Sequence, residues 1–197
     1  MRSDASRPSI VELLAAFGRA MSDRGWRWYV FGAQAAIVYG RPRLTADVDI
    51  AVELVGAPVA ELLAALARES IVLRFEPSPE LLETARLLPL RHAPTGLPVD
   101  VVLTGAGLEE EFLERARAVD LGGVFVPIVS AEDLVVMKVL AGRRKDLADV
   151  RGVLIEQAGK LDVARIRELL SALESALGDV RLVRRLDRLL RAARSNT

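Results

Sequence analysis

The sequence predicts an α/β (α+β) protein in which a mixed sheet with flanking helices is followed by a C-terminal helical subdomain. Two observations carry this expectation. Between residues 26 and 129, short runs of β-branched and aromatic residues alternate with amphipathic stretches of helical spacing. From Ser130 onward the strand-like runs stop and only helical periodicity remains. The boundary is therefore expected near residue 129, with residues 1–129 as one half and 130–197 as a helical subdomain packed on it.

The elements are expected in the following order. Ser9-Ile10-Val11-Glu12 has the pattern of a capping box, and Ile10, Leu13, Leu14, Phe17 and Met21 keep helical spacing to about Gly25. Residues 26–31 form a strand whose aromatics Trp26, Trp28 and Tyr29 belong to the core; the strand stops at Gly32. Residues 33–39 form a short apolar helix closed by Gly40 and Pro42, and residues 48–54 a second strand. An amphipathic helix over 58–68 places Val59, Leu62, Leu63 and Leu66 on one side. A strand at 71–75, a Pro-flanked helix near 80–87, strands at 88–93 and 99–103, an acidic helix over 108–118 and a strand at 124–129 complete the first half. In the second half Ser130 caps a helix over 131–141, Asp146 starts another, and Asp162 caps a third, with Leu161 and Ile166 as its hydrophobic staple. The last helix, 180–194, aligns Leu182, Leu186, Leu189 and Ala193, and its other face carries six Arg against one Asp.

Composition narrows the chemistry. With 27 basic and 27 acidic residues the 197-residue chain is formally neutral, which argues against coating nucleic acid through bulk charge. Cysteine is absent, which excludes disulfides, thiol nucleophiles and zinc–thiolate sites, and a single histidine, His92, nearly removes histidine-based triads and multi-histidine metal sites. His92 is expected to end a strand as a structural residue. The N-terminus lacks the apolar core of a signal peptide and no charge-free run spans a bilayer, so no membrane association is expected and the cytoplasm is the default compartment. Carboxylates, Lys, Arg and backbone groups must carry any reaction.

Three places stand out. In Asp47-Val48-Asp49-Ile50-Ala51-Val52 the two carboxylates share one face of a strand. The pair alone says little, because twelve Asp in 197 residues supply about 0.7 such pairs by chance. Two anions side by side at the start of an apolar strand do, however, repel each other unless a cation lies between them. A capped strand start with a surface carboxylate pair is the bland alternative. Asp100 lies within Val99-Asp100-Val101-Val102-Leu103, a run apolar on both sides. A carboxylate there is protonated, paired with a base such as an Arg, or bound to a metal. Third, Phe31-Gly32-Ala33 runs from a strand through Gly into a helix, a geometry that offers backbone N–H groups to a phosphate or simply makes a tight turn.

Taken together, Val30-Phe31-Gly32-Ala33, Thr45-Ala46-Asp47-Val48-Asp49-Ile50 and Val99-Asp100-Val101 resemble the nucleotidyltransferase superfamily with the DNA polymerase beta-like fold. That signature is an hG[GS] turn, a D-h-D-h strand about a dozen residues on, and a third h-D-h strand. Ala33 departs from it by keeping the backbone N–H and lacking the hydroxyl of a Ser. Downstream, Ala131 to Val150, with Lys138 and Arg143-Arg144-Lys145-Asp146-Leu147-Ala148-Asp149, resembles nucleotidyltransferases related to the AbiEii abortive-infection toxins and small antibiotic-modifying nucleotidyltransferases.

The resemblance implies a Mg2+-dependent transfer of a nucleoside monophosphate from an NTP to a hydroxyl acceptor, tRNA or a small molecule, with release of pyrophosphate. It implies Asp47, Asp49 and Asp100 as metal ligands and catalytic carboxylates. Gly32, Ala33, Thr45 and Lys138 become the nucleotide-binding residues, and an antitoxin becomes a partner if the chain is a toxin. On the residues alone, Lys138 either snorkels to solvent or meets an anion. Asp146 reads as a helix start and cap, Asp149 as a buried ion pair with an Arg, and Arg41 and Arg43 as cleft residues or exposed loop charges. A degenerate nucleotide-binding regulatory module and an interaction protein docking through its basic last helix are the rival readings. The filled carboxylate positions favour the enzyme.

Overall fold

The computed structural model describes residues 10–45, 47–178 and 181–194. Ser9 of the expected capping box, Ala46 of the D-h-D-h stretch and the expected first residue of the last helix, Val180, lie outside the described residues. The chain divides into two compact units, one drawn from Met1–Phe31 and Ala46–Ile128, the other from Gly32–Thr45 and Val129–Thr197.

The first unit holds α1 (Ile10–Ser22), β1 (Trp28–Phe31), β2 (Val48–Val52), α3 (Val59–Arg68), β3 (Ile71–Leu73), α4 (Pro79–Glu83), β4 (Leu87–His92), β5 (Pro98–Leu103), α5 (Leu108–Arg115), β6 (Arg117–Asp120) and β7 (Phe125–Ile128). The second holds α2 (Gly32–Tyr39), α6 (Ala131–Ala141), α7 (Arg144–Glu156), α8 (Val163–Leu177) and α9 (Leu182–Arg194).

In the first unit seven strands form one mixed sheet in the order β3-β4-β5-β2-β1-β7-β6. The pairs β2/β5 and β1/β7 are parallel and the others antiparallel. The centre is buried on both faces, so β2 and β5 read as nearly continuous apolar runs. In β2 every residue is buried except Asp49. Leu13, Phe17 and Met21 of α1, Leu62 and Leu66 of α3, and Val30, Ile50, Leu90 and Val101 of the sheet are all fully enclosed. Phe17 packs on Trp28 with ring centroids 5.1 Å apart. Tyr29 is buried, whereas Trp26 lies outside the strand and, like Trp28, is only half-buried.

Two elements differ from the sequence expectation. The acidic helix stops at Arg115 rather than at 118, because Ala116 turns extended and Arg117–Asp120 becomes the edge strand β6. Its residues are mostly exposed, so no apolar alternation marks it, and pairing with β7 holds it in place. The helix near 80–87 shrinks to Pro79–Glu83, and Leu87 joins β4 instead.

In the second unit α6 is buried on nearly all sides, with α2, α7, α8 and α9 around it. Ser130 caps it by accepting the Asp133 N–H, and its C-cap is the left-handed Gly142. Arg185 of α9 donates to the Val139 carbonyl at that same end, so one Arg of the basic helix closes a neighbouring helix rather than facing water. Asp162 caps α8 as expected, accepting the Arg165 N–H at 2.9 Å, and Ile166 of the staple is buried. Asp146 is not the cap of α7. Arg143 occupies that position, and Asp146 sits in the first turn with its carboxylate turned inward.

Helices α2 and α7 meet at Gly40 and Gly152. A Cβ on Gly40 would lie 2.9 Å from the Ala36 carbonyl oxygen and 3.1 Å from the Val153 nitrogen, both backbone atoms that cannot swing away. Gly40→Ala is therefore expected to destabilise the protein by about 1–3 kcal/mol. Gly18→Ala, inside α1 and at an ordinary 3.5 Å from the Trp28 ring, is expected to stabilise it by roughly 1 kcal/mol. Urea unfolding of the two variants checks the pair, and equal shifts would show that the close helix crossing does not matter.

Candidate active site

Sheet register brings two of the singled-out carboxylates together. Asp49 on β2 and Asp100 on β5 are Cα partners across a parallel pair, so their side chains leave the same face about one strand spacing, ~5 Å, apart. The partner of Asp49 on the other side is Phe31, and that of Asp100 is Pro89. Asp47 precedes β2 by one residue, is exposed, and its charge acts on Asp100. The three acids expected to act together thus share one region of the first unit.

Asp100 also has a partner that sequence reasoning missed. Arg74 reaches it with a guanidinium nitrogen. The route is set by Pro89. The Arg74 N–H donates to the Pro89 carbonyl at 2.9 Å, but Pro89 has no N–H to return the bond. The β3/β4 ladder therefore ends at Leu73, and Arg74 departs from the sheet in line with Pro89, Asp100 and Asp49. Its guanidinium also lies 6.0 Å from the centre of the exposed Phe75 ring. Burial pushes the Asp100 carboxyl above the usual range; the Arg74 charge pulls it back and the Asp47 charge adds to the rise. The alternative of an Arg ion pair for Asp100 is therefore realised, on a group that keeps more than a quarter of its side-chain surface (28%) open to solvent.

Among the described residues no three His, Cys, Asp or Glu are gathered closely enough to hold a metal by themselves. Magnesium does not require that: it is commonly held by one or two carboxylates, with phosphate oxygens and waters completing the octahedron. The hard oxygen donors of Asp49 and Asp100, with Asp47 beside them, fit such an ion.

The nucleotide-side candidates all fall in the second unit. Gly32 opens α2 directly after β1 with φ +64°, a conformation that explains why glycine stands there, and Ala33 follows it, buried. Backbone N–H groups of a first helical turn have no acceptor within the helix, which leaves the Gly32-Ala33 turn suited to an anion. Thr45 is half-buried in the loop that follows Arg43.

Lys138 has other partners than the triphosphate its resemblance implies. It is 5% exposed, with Nζ 2.8 Å from Asp149 Oδ2 and 3.2 Å from Asp146 Oδ1. Arg43 grips Asp149 from the loop through Nε at 2.8 Å and Nη2 at 3.0 Å. Arg143 donates to the other oxygen of Asp146. Asp149 is thus the buried ion pair expected, with a Lys added to the Arg. Arg41 pairs with Glu156 at 3.3 Å, so both loop arginines are strapped to α7. Burial alone would raise the Asp149 carboxyl, but the hydrogen bonds and charges of Arg43 and Lys138 outweigh it and hold it below the usual range. His92 ends β4 as expected, buried, with Nδ1 2.9 Å from the Thr95 hydroxyl; burial lowers its pKa.

Comparison with known proteins bears on the family and the fold. The family described as "Nucleotidyltransferase of unknown function (DUF6036)" matches residues 19–192. The chain belongs to this nucleotidyltransferase family. Among solved structures, the solution structure of the antibiotic-resistance factor ANT(2'')-Ia aligns with TM-score 0.60 at 15% identity, over 85% of this chain and 94% of that one. The crystal structure of ANT(2'')-Ia in complex with adenylyl-2''-tobramycin gives TM-score 0.58 at 15% identity, covering 85% and 98%. At that identity the likeness shows the fold, which is of nucleotidyltransferase type. No curated protein matches the chain. Among the described residues, no helix is long and apolar enough to cross a membrane.

Two outcomes follow for the buried network of this nucleotidyltransferase. Lys138→Met leaves Asp146 and Asp149 short of a cation and is expected to cost about 3–5 kcal/mol in urea unfolding. Because the Asp149 carboxyl is lowered in the folded state, its contribution is complete above the unfolded carboxylate pKa of ~3.9 and is lost as pH falls through the folded value. Stability measured from pH 7 downward should hold its Asp149 share until about pH 4 and then drop. Asp149→Asn should be less stable at pH 7 and show a shallower acid limb; parallel limbs in parent and variant would contradict the assignment.

Proposed function

We propose that the chain transfers a nucleoside monophosphate from an NTP to a hydroxyl acceptor and releases pyrophosphate, using a divalent cation held by Asp47, Asp49 and Asp100. The register pairing of Asp49 with Asp100, with Asp47 beside them, is the single observation that carries this reading. When bound, Mg2+ supplies charge neutralisation for the triphosphate and a lower pKa for the acceptor hydroxyl. In the transfer the acceptor oxygen forms a bond to the α-phosphorus while the bond from that phosphorus to the bridging oxygen breaks. Asp100, half-buried between apolar neighbours in β5, is the acid assigned to take the acceptor's proton. Asp47, exposed at the strand start, and Asp49 face the triphosphate. The Gly32-Ala33 backbone is assigned to the phosphates, and Thr45, two residues before Asp47 in the chain, to the nucleotide. Lys138 keeps no such role in this proposal, because its ammonium is engaged by Asp146 and Asp149.

For the acceptor, a small hydroxyl-bearing molecule is the first class to test, since ANT(2'')-Ia has been crystallised with adenylyl-2''-tobramycin; tRNA is the second. The pairing of Arg74 with Asp100 favours one rival, a nucleotide-binding module without transfer. Labelled NTP, Mg2+ and a panel of aminoglycosides, other small alcohols and total tRNA decide between them. The parent is expected to transfer label and release pyrophosphate. Asp47→Asn and Asp49→Asn should abolish transfer, because a neutral amide cannot neutralise a divalent ion. Asp100→Asn should lower the chemical step by about a hundredfold or more while leaving most NTP binding. Binding of NTP without transfer to any acceptor would favour the module; transfer indifferent to all three substitutions would show that the acids are wrongly chosen.

A further inference from the structure

We infer that Arg74 is a displaceable counter-cation built into the acidic site, which competes with the divalent metal for Asp100. The inference rests on the metal-dependent reading above and adds a residue that neither the sequence motifs nor the family description assigns.

Three observations support it. The first is placement. Arg74, Pro89, Asp100 and Asp49 occupy one row across β3's end, β4, β5 and β2, so the guanidinium approaches the acids along the sheet face over the intervening strand. The second is the character of the contact. The arginines of the structural networks here are held firmly: Arg43 grips Asp149, 7% exposed, through two nitrogens while Lys138 donates from the other side. Arg74 instead joins Asp100 through one guanidinium nitrogen to one carboxylate oxygen, with both side chains about a third exposed. Such a pair is weakly held and screened by solvent. The third is need. Asp49 and Asp100 face one another across one strand spacing with Asp47 near, and a row of acids of this kind requires positive charge. At Asp100 the Arg74 guanidinium supplies one positive charge; a divalent ion bound by the same oxygens would supply two and leave Arg74 free to swing into solvent.

Arg74 is therefore a positioning residue, not a catalytic one: it tunes how readily Asp100 accepts a metal. The test is direct binding of Mn2+ alone to the full chain, followed by the electron paramagnetic resonance signal of the free ion. Arg74→Gln is expected to bind Mn2+ at least about tenfold more tightly than the parent, because a positive charge within a few ångströms of the site has gone. Arg74→Lys, which keeps the charge on a shorter side chain, should fall between them. In an Asp100→Asn background, Arg74→Gln should change the affinity by less than about twofold, since the shared group is then neutral. A general structural role for Arg74 would not produce that dependence on Asp100. On the parent chain, added Mg2+ should speed hydrogen exchange at the Arg74 Nη–H groups, one of which donates to Asp100, a readout that needs no variant to fold. Equal or weaker Mn2+ binding by Arg74→Gln, or Arg74 Nη–H groups unmoved by Mg2+, would overturn the proposal while leaving the metal reading intact. Absence of Mn2+ binding by parent and variants alike would overturn both.

Discussion

Asp49 on β2 and Asp100 on β5 are register partners in a parallel pair, so two anionic side chains leave one face of the sheet about 5 Å apart. This juxtaposition is unfavourable by itself, and the surrounding features answer to it. β2 and β5 are otherwise apolar and central, which fixes the register: a one-residue slip would turn the acids away and their buried neighbours outward. Pro89 stands next to Asp100 in the row and ends the β3/β4 ladder, releasing Arg74 toward the acids. Phe31 stands beyond Asp49 and closes the row with an aromatic ring, after which Gly32 turns the chain into α2.

What could be read in advance follows from which of these relations are local. The Asp47/Asp49 pair is visible because strand alternation puts residues two apart on one face, and Asp100 is visible because a lone acid interrupts an apolar run. Their pairing is not visible. β2 and β5 are neighbours in the sheet although β3 and β4 intervene in sequence, and no local pattern encodes that choice. Arg74 is hidden for the same reason, since its contact depends on where a proline in the adjacent strand stops a ladder. The only local hint is a charged residue ending Ile71-Val72-Leu73. β6 was missed because an exposed edge strand carries no burial alternation, and its acidic-helix neighbour supplied a continuous helical pattern up to it. The helical half was legible almost throughout, since caps and periodicity are local signals; Ser130 and Asp162 sit where their side chains require. Asp146 misled because an Asp before an apolar helical run looks like a cap, and only the position of Lys138 shows why it is needed one turn inside.

Two acid pairs of the molecule stand in contrast. Asp146 and Asp149 lie almost wholly inside the second unit, with side chains 3% and 7% exposed, and meet Lys138, Arg43 and Arg143. Cations there are at least as numerous as anions, the hydrogen bonds are made, and the Asp149 carboxyl is held below its usual range. Such a network is satisfied; removing a member costs stability, and it has no reason to attract a further ion.

Asp49 and Asp100, with Asp47 beside them, are in the opposite condition. The Arg74–Asp100 pairing is partly open to water, and the Asp100 carboxyl lies above its usual range in spite of Arg74, so this acid is only partly balanced by its cation. A fold selected for stability alone would resolve that imbalance by replacing Asp100 with an apolar residue like those on either side of it in β5, since a buried ionic group is rarely worth its desolvation. The sheet keeps Asp100 instead, partly open to solvent and register partner of Asp49, two carboxylates whose oxygens are hard donors suited to a divalent ion. The proposed cation site rests on this half-open carboxylate contact, in which Arg74 offsets the charge of Asp100 only in part.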